Sequence, residues 1–377
     1  MPLVLSEEQQ MLQETARGFA EEKSPLTELR RLRDEDVADG FHRDLWAQMA
    51  ELGLTGVLVG EDHGGSGFGY VGAGVIAQEL GRTLAASPYI ATSMMAATAL
   101  AKFGSDDQRA VHLPKIAAGQ TVFAIASDEN KKHTPHQVAM KAERSGNGFK
   151  LSGEKTFVAE GFAADQLIVA ARTAGADTDK EGVTLFLVDA SKAEKDRMKT
   201  VDSRGFARIK LDGVEVDGDA VLGQVDGGLG ALEVILNAGR AGLASEMVGS
   251  AEAAFDMTLD YLKQRKQFGT EIGRFQALQH RAAHLYTELE MAKAVAHQAL
   301  DELDTNLEGA GTTVSLAKAK VSQVARLASQ EAVQMHGGIG MTDEYDVGFF
   351  MKRIRVAGEL FGDGDYHMNR LAEVMGY

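Results

Sequence analysis

At 377 residues the chain is too long for one ordinary core and predicts two or three domains of roughly 100–200 residues each. Its 39 basic and 55 acidic side chains leave a net charge of −16. That balance argues against a nucleic-acid binder, which needs a basic face to displace counterions, and against an anionic membrane surface. The absence of cysteine excludes disulfides, thiolate metal sites, iron–sulfur clusters and cysteine nucleophiles, so the cofactors left are mostly organic.

The opening stretch from Met1-Pro2-Leu3-Val4 has no basic or apolar leader pattern, so no secretory signal is expected. Ser6 with Gln9 reads as a capping box, and Met11, Leu12, Ala16 and Phe19 follow at helical spacing. Leu45, Met49 and Leu52 repeat the period up to Gly53 and Gly56. Residues 60–67 read as a glycine-rich loop, and 71–84 and 91–103 as two apolar helices. The longest largely apolar stretch ends at Lys102 and is shorter than the ~18–20 residues of a spanning helix. A cytoplasmic protein with no membrane partner is expected.

The character changes near Thr121. Short apolar runs at 122–126, 149–155, 166–171, 183–188, 209–211 and 214–216 are separated by Gly, Asp and Asn, which predicts an all-β module. Asp212-Gly213 reads as a hairpin turn. Long helical periods return at 229–262, 275–303 and 313–336, with a break at Gly309-Ala310-Gly311. Helices and strands do not alternate, and no strand–GxGxxG–helix unit occurs, so a doubly wound nucleotide fold is not expected. The predicted segments are 1–118, helical; 119–224, β; and 225–377, helical.

Three constellations carry candidate chemistry. Arg265-Lys266-Gln267-Phe268-Gly269 with Phe275-Gln276 lies at a helix end. Its arginine fork suits a diphosphate and its phenylalanine a ring, although a basic helix end is more often plain solvated surface. Gln334-Met335-His336-Gly337-Gly338-Ile339-Gly340 places three glycines after a helix, more than one cap needs. His336 alone is expected to be structural, and no companion at metal spacing accompanies it. Phe361-Gly362-Asp363-Gly364-Asp365-Tyr366-His367 offers two carboxylates on a turn, where the bland alternative is a polar cap on the last helix.

In this order and spacing, these segments resemble the acyl-CoA dehydrogenase family along the whole chain. The resemblance implies an α+β multidomain protein: an N-terminal helical domain, a middle β-sheet or barrel domain and a C-terminal four-helix bundle. It implies FAD as cofactor, with Arg265, Gln267, Phe268, Phe275, Gln276, Gln334, Gly337 and Gly338 contacting the FAD of a neighbouring subunit. A homodimer or homotetramer follows, or a heterotetramer with a homologous chain. The implied reaction is α,β-dehydrogenation of an acyl-CoA thioester to the trans-2-enoyl-CoA, with electrons passed to an electron-transfer flavoprotein. The α-proton is weakly acidic, so the site must stabilise the enolate, and the family also buries its base.

The chain departs from that pattern at several points. The Tyr-Glu-Gly-Thr loop that carries the family base is absent. Counting back from Arg370 places Asp363-Gly364 on the Glu-Gly pair, whereas counting forward from Gln334 places Phe361 there. Asp363 is the candidate base, with Glu359 and Asp365 behind it. An alternative family position, a Glu-Arg pair on an earlier helix, is Gly239-Arg240 here; Arg240 is expected to contact the base loop. Ser127 stands for a flavin-contacting threonine, Phe157 for a tryptophan over the flavin, and Ala159 lacks the hydroxyl of the family residue. These departures resemble the small subunits of two-chain acyl-CoA dehydrogenases, including the pimeloyl-CoA type. The alternatives are a non-catalytic or half-catalytic FAD-binding subunit, or a nitroalkane-oxidase-like or flavin-monooxygenase-like enzyme on the same scaffold.

Overall fold

The computed structural model describes residues 5–377; the opening Met1-Pro2-Leu3-Val4, read above as leaderless, lies outside the described residues. Helices come first: α1 (Glu7–Lys23), α2 (Leu26–Asp34), α3 (Arg43–Glu51), α4 (Gly69–Arg82), α5 (Ala97–Phe103) and α6 (Asp106–Ala117). The expected capping box is present. Ser6 Oγ accepts from the Gln9 N–H at 3.2 Å, and Gln9 Oε1 accepts from the Ser6 N–H at 2.9 Å. Ser105 and Gln108 build a second one at the start of α6. The helix expected over 91–103 is two pieces: a π-helix, Ile90–Ala96, runs into α5.

The strands follow: β1 (Phe123–Ala126), β2 (Lys141–Ser145), β3 (Gly148–Ala159), β4 (Gln166–Arg172), β5 (Val183–Asp189), β6 (Glu194–Lys199), β7 (Gly205–Val216) and β8 (Val221–Leu222). They form one sheet in the order β6-β7-β3-β2-β4-β5-β8, with β1 parallel to β4. Phe149, Leu151, Val169, Phe186, Ile209 and Leu211 are buried in its core. The expected hairpin at Asp212-Gly213 is not one. β7 runs through it unbroken, and the pairing with β3 jumps from Leu151↔Val214 to Ser152↔Asp212, so Gly213 at φ +67° is a bulge. Period alone did not mark β2 and β6, whose sequences KAERS and EKDRMK are mostly polar.

The last part holds α7 (Gly228–Gln264), a small hairpin of β9 (Lys266–Gln267) and β10 (Thr270–Glu271), then α8 (Gln276–Thr305), α9 (Gly311–His336), α10 (Val347–Glu359) and α11 (Gly364–Met375). Leu285, Leu289, Ala292, Ala296 and Leu300 on α8 and Val314, Val321, Ala325, Ala328 and Ala332 on α9 are buried at helical spacing, which makes this region a helical bundle. No described helix is long and apolar enough to cross a membrane.

The chain forms two compact units. One gathers the chain up to Arg30, Gly74–Ala85 and Arg240–Tyr377; the other holds Arg31–Ala73 and Ala86–Gly239. In the first, Arg353 on α10 makes a buried two-pronged pair with Glu246 on α7, at 2.6 and 2.8 Å. In the second, Arg172 on β4 donates to the carbonyls of Val138, Asp177, Asp179 and Glu181, tying the loops around the sheet.

Candidate active site

In the helical unit, the end of α7 and the end of α9 come together through stacked rings. Tyr261 lies 4.5 Å from His336, which lies 4.8 Å from Tyr345. Four residues past Tyr261, Arg265 begins the β9–β10 hairpin; directly past His336 comes the glycine turn. The two segments expected to share one ligand are therefore neighbours. His336 is buried, as expected of a structural histidine. Its Nδ1 donates to the Ala332 carbonyl at 2.7 Å, and its Nε2 has no partner among the described residues. Burial pushes its pKa down, against a smaller upward effect of the Ala332 bond.

Arg265, Gln267, Phe268, Phe275, Gln276, Gln334, Gly337 and Gly338 are all exposed on this unit. Phe268 is 92% exposed and sits at φ +53°, followed by Gly269 at φ +80°. Both turn residues are left-handed, which favours a tight hairpin but strains a phenylalanine. Phe275 meets it edge-on at 6.2 Å. Among the described residues no carboxylate pairs with Arg265, so its guanidinium is available to an anion. Gly340 is packed: a Cβ there would lie 2.8 Å from the Val333 carbonyl. Gly338 is different. It has no positive φ, and a Cβ would meet nothing within 4 Å. Its missing side chain is unexplained by the chain's own packing and suits the close approach of an external group. A free guanidinium, two exposed rings and an open glycine turn fit a dinucleotide with a diphosphate, such as FAD.

The candidate base lies on the turn between α10 and α11. Asp363 is the N-cap of α11, and its Oδ1 accepts from the Tyr366 N–H at 2.7 Å. The bland expectation of a capping turn is thus met, and its Oδ2 has no partner among the described residues. Asp363 is exposed on the helical unit rather than buried within it. Arg240 is wholly buried and donates from Nε to the Phe361 carbonyl at 2.9 Å, with its guanidinium 5.7 Å from the Tyr366 ring. Of the lesser candidates, Glu359 pairs with Arg355 at 3.0 Å, and Asp365 is exposed in the first turn of α11. At the alternative base position, Gly239 and Met95 both lie in the second unit, and a Cβ on Gly239 would come 2.5 Å from Met95 Sδ, so a side chain there requires Met95 to move.

In that second unit, the ends of β1 and β3 are joined. The Thr156 N–H donates to the Asp128 carbonyl at 2.8 Å, which sets Ser127 and Phe157 close in the fold. Ser127 is buried; Phe157 is 44% exposed and left-handed at φ +51°, on a bulge of β3. A half-exposed aromatic ring held on strained backbone is a feature of ligand sites. The loop after Ser127 is wired by its carboxylates. Glu129 accepts from the wholly buried Lys155 at 2.6 Å and from the Ala139 and Met140 N–H groups at 2.8 and 3.1 Å. Lys155 also donates to the Ser127 carbonyl at 3.1 Å. Burial lowers the Lys155 pKa, with Glu129 opposing. Asp128 binds His133 Nδ1 at 2.8 Å and the Thr134 N–H at 3.2 Å.

Sequence reasoning missed Lys318 on α9. It is wholly buried and donates to the carbonyls of Ala357, Gly358 and Gly362 at 3.0, 2.9 and 3.1 Å. The signal was there: Lys318 takes a core position between Val314 and Val321, where an unpaired charge has no place. Tyr261 and Tyr345 were missed as well; each is ordinary in sequence and acquires a role only through the stack on His336.

Comparison with known proteins places these features in context. Residues 226–376 match the family model for the acyl-CoA dehydrogenase C-terminal domain, and residues 6–120 match the N-terminal domain model. The chain is 31% identical over 321 residues to acyl-CoA dehydrogenase FadE12 of Mycobacterium tuberculosis, covering 83% of each chain. It is 29% identical over 365 residues to the 3-(aryl)acrylate reductase of Clostridium sporogenes, covering 94% of each. Among solved structures, a variant of the Tcur3481-Tcur3483 steroid ACAD superposes with a TM-score of 0.88 at 29% identity, covering 98% of each chain.

Proposed function

The chain belongs to the acyl-CoA dehydrogenase family, and within it we propose that Asp363 takes the α-proton of an acyl-CoA thioester. As a family member it is an FAD-dependent oxidoreductase acting on the CH–CH group. The observation that carries the proposal is the base turn itself: the buried guanidinium of Arg240 holds the Phe361 carbonyl two residues before Asp363. An ionised carboxylate only accepts hydrogen bonds. One oxygen of Asp363 serves the α11 cap, and the other is left for a substrate proton.

Bound FAD supplies the acceptor for the β-hydride. Arg265 would hold the diphosphate of a neighbouring subunit's FAD, with Gln267, Phe268, Phe275, Gln276, Gln334, Gly337 and Gly338 around it. In the second unit, Ser127 would offer its hydroxyl to a flavin and Phe157 an aromatic face. The adjacent stack of Tyr261, His336 and Tyr345 keeps the two binding segments in register. The exposure of Phe268 supports an assembly in which a second chain, identical or homologous, completes the site. Electron-transfer flavoprotein is the proposed electron acceptor. The three segments 1–118, 119–224 and 225–377 are the proposed sequence modules, which limited proteolysis near residues 118–121 and 224–228 tests.

A second reading is a flavin-binding subunit of a two-chain enzyme, of the small-subunit type. It is favoured by the capping bond of Asp363, by its exposure and by the shorter reach of aspartate. One experiment separates the two. The FAD-loaded protein is mixed without oxygen with a panel of acyl-CoA thioesters. The proposal expects one thioester to bleach the flavin, and Asp363→Asn to slow bleaching by ~10²-fold or more with FAD still bound. Unchanged bleaching in that variant refutes the base. If no thioester bleaches the flavin until a homologous chain is co-expressed, the second reading stands. Rapid reoxidation by O₂ with product bound favours the oxidase or monooxygenase chemistries.

A further inference from the structure

The turn that carries Asp363 is held by more than Arg240. From α9, Lys318 reaches it with no side-chain carboxylate among its hydrogen-bond acceptors: the three bonds go to main-chain oxygens, two in the last turn of α10 and one at Gly362. Between those anchors Phe361 is left-handed at φ +56° and Gly362 lies at φ +105°. A Cβ on Gly362 would lie 2.4 Å from the Tyr366 ring and 2.9 Å from His367 Nε2. Asp363 follows immediately. Its main-chain position is therefore set by the oxygens that the two cations grip. We infer that Lys318 is the positioning residue for Asp363, its ammonium clamping the base-carrying turn through the Ala357, Gly358 and Gly362 carbonyls. This inference rests on Asp363 being the base.

The clamp depends on charge by simple counting. An ammonium has three N–H donors, and here it meets three acceptors. A neutral amine has two donors and turns a lone pair towards the third oxygen, which it repels. The groups facing Lys318 are known on each side. Arg240 on α7 and Arg353 on α10 disfavour the charged form; Glu359 on α10 and Asp363 before α11 favour it. On α11, buried His367 lies against Gly362. Burial is the largest influence and brings the Lys318 pKa down to about 7. The clamped turn accordingly belongs to the acid side of that value and is lost as pH rises through it.

The test uses the full-length FAD-loaded protein. Flavin reduction by the active thioester is followed by anaerobic stopped flow between about pH 6 and about pH 9. The wild-type rate is expected to fall about tenfold across that range. Lys318→Met should be slow throughout, by ~10²-fold, the scale of a 1 Å misplacement, with substrate affinity and the flavin spectrum kept. Lys318→Arg cannot lose its proton, so its alkaline fall should vanish. A Lys318→Met rate and pH profile equal to wild type would overturn the inference, even with Asp363→Asn inactive.

Hydrogen exchange of the wild type needs neither a variant nor turnover. Protection of residues 358–366, corrected for intrinsic exchange, should drop between about pH 6 and about pH 9. Unchanged protection overturns the clamp if the variants do not fold. This arm decides the clamp whether or not Asp363→Asn refutes the base.

Discussion

Glu129→Gln tests whether the buried Lys155 is held in place by a single carboxylate. The 2.6 Å contact has a gross attraction of about 6 kcal/mol at an effective dielectric constant of 20. Much of that is offset by the desolvation of both ions, and breaking such a pair typically costs about 3–5 kcal/mol. The Ala139 and Met140 N–H groups bond different oxygens of Glu129, and a glutamine keeps only one of them, so the deficit should combine one lost N–H acceptor with the stranded ammonium. Its pH dependence has a definite sign. The folded Lys155 pKa is already below 10.5 because of burial, and losing Glu129 lowers it further. Between that folded value and 10.5 the unfolded chain binds more protons, so stability rises with pH there. The variant's window is wider, and its deficit should shrink towards alkaline pH. Urea unfolding of the FAD-free protein at several pH values measures this. A deficit below about 1 kcal/mol, or one that does not change with pH, would refute the reasoning. FAD retention should fall in parallel, because Lys155 also holds the Ser127 carbonyl.

Gly338→Ala should leave FAD-free stability within about 0.5 kcal/mol yet release FAD more readily by equilibrium dialysis, while Gly340→Ala, which meets the Val333 carbonyl at 2.8 Å, should lose about 1–3 kcal/mol. Phe157→Gly should be more stable than Phe157→Ala by about 1 kcal/mol in thermal unfolding, the reverse of an ordinary strand position, because the backbone there is left-handed. Glu246→Gln should lower stability by about 3–5 kcal/mol in denaturant titration, since it removes the carboxylate charge that the buried Arg353 grips with two prongs.

The helical and β segments were legible because their burial is periodic. The stripe Val314, Val321, Ala325, Ala328 on α9 is visible in the sequence and buried in the fold. β2 and β6 were illegible because they hold their places by main-chain ladders to β3 and β7 while carrying charged side chains. Gly213 looked like a turn because Asp-Gly is common in hairpins; the long antiparallel partner β3 overrode that local preference and absorbed the residue as a bulge. The segments proposed to contact the flavin were recognisable because their residue types and spacing match the family's motifs. His336 was rightly expected to be structural, but its partners Tyr261 and Tyr345 lie far off in the chain, and no local pattern announces them.

The turn that carries the proposed base was the hardest part to place, and the structure gives the physical reason. Its shape is set by Lys318 and Arg240 gripping carbonyl oxygens. Carbonyls are present whatever the side chains are, so a turn fixed this way can carry quite different residues without changing course. Counting from Gln334 and counting from Arg370 disagree because the loop between them differs in length from the family's Tyr-Glu-Gly-Thr loop. Gripped oxygens at 361 and 362 settle where the turn bends, and the α11 cap settles that Asp363 is the first carboxylate after it. What remains variable is the reach of that carboxylate. Aspartate is one methylene shorter than glutamate, so the proposed catalysis by Asp363 demands a substrate carried closer to the main chain. A clamp that leaves the turn no freedom to retreat is the arrangement that demand requires.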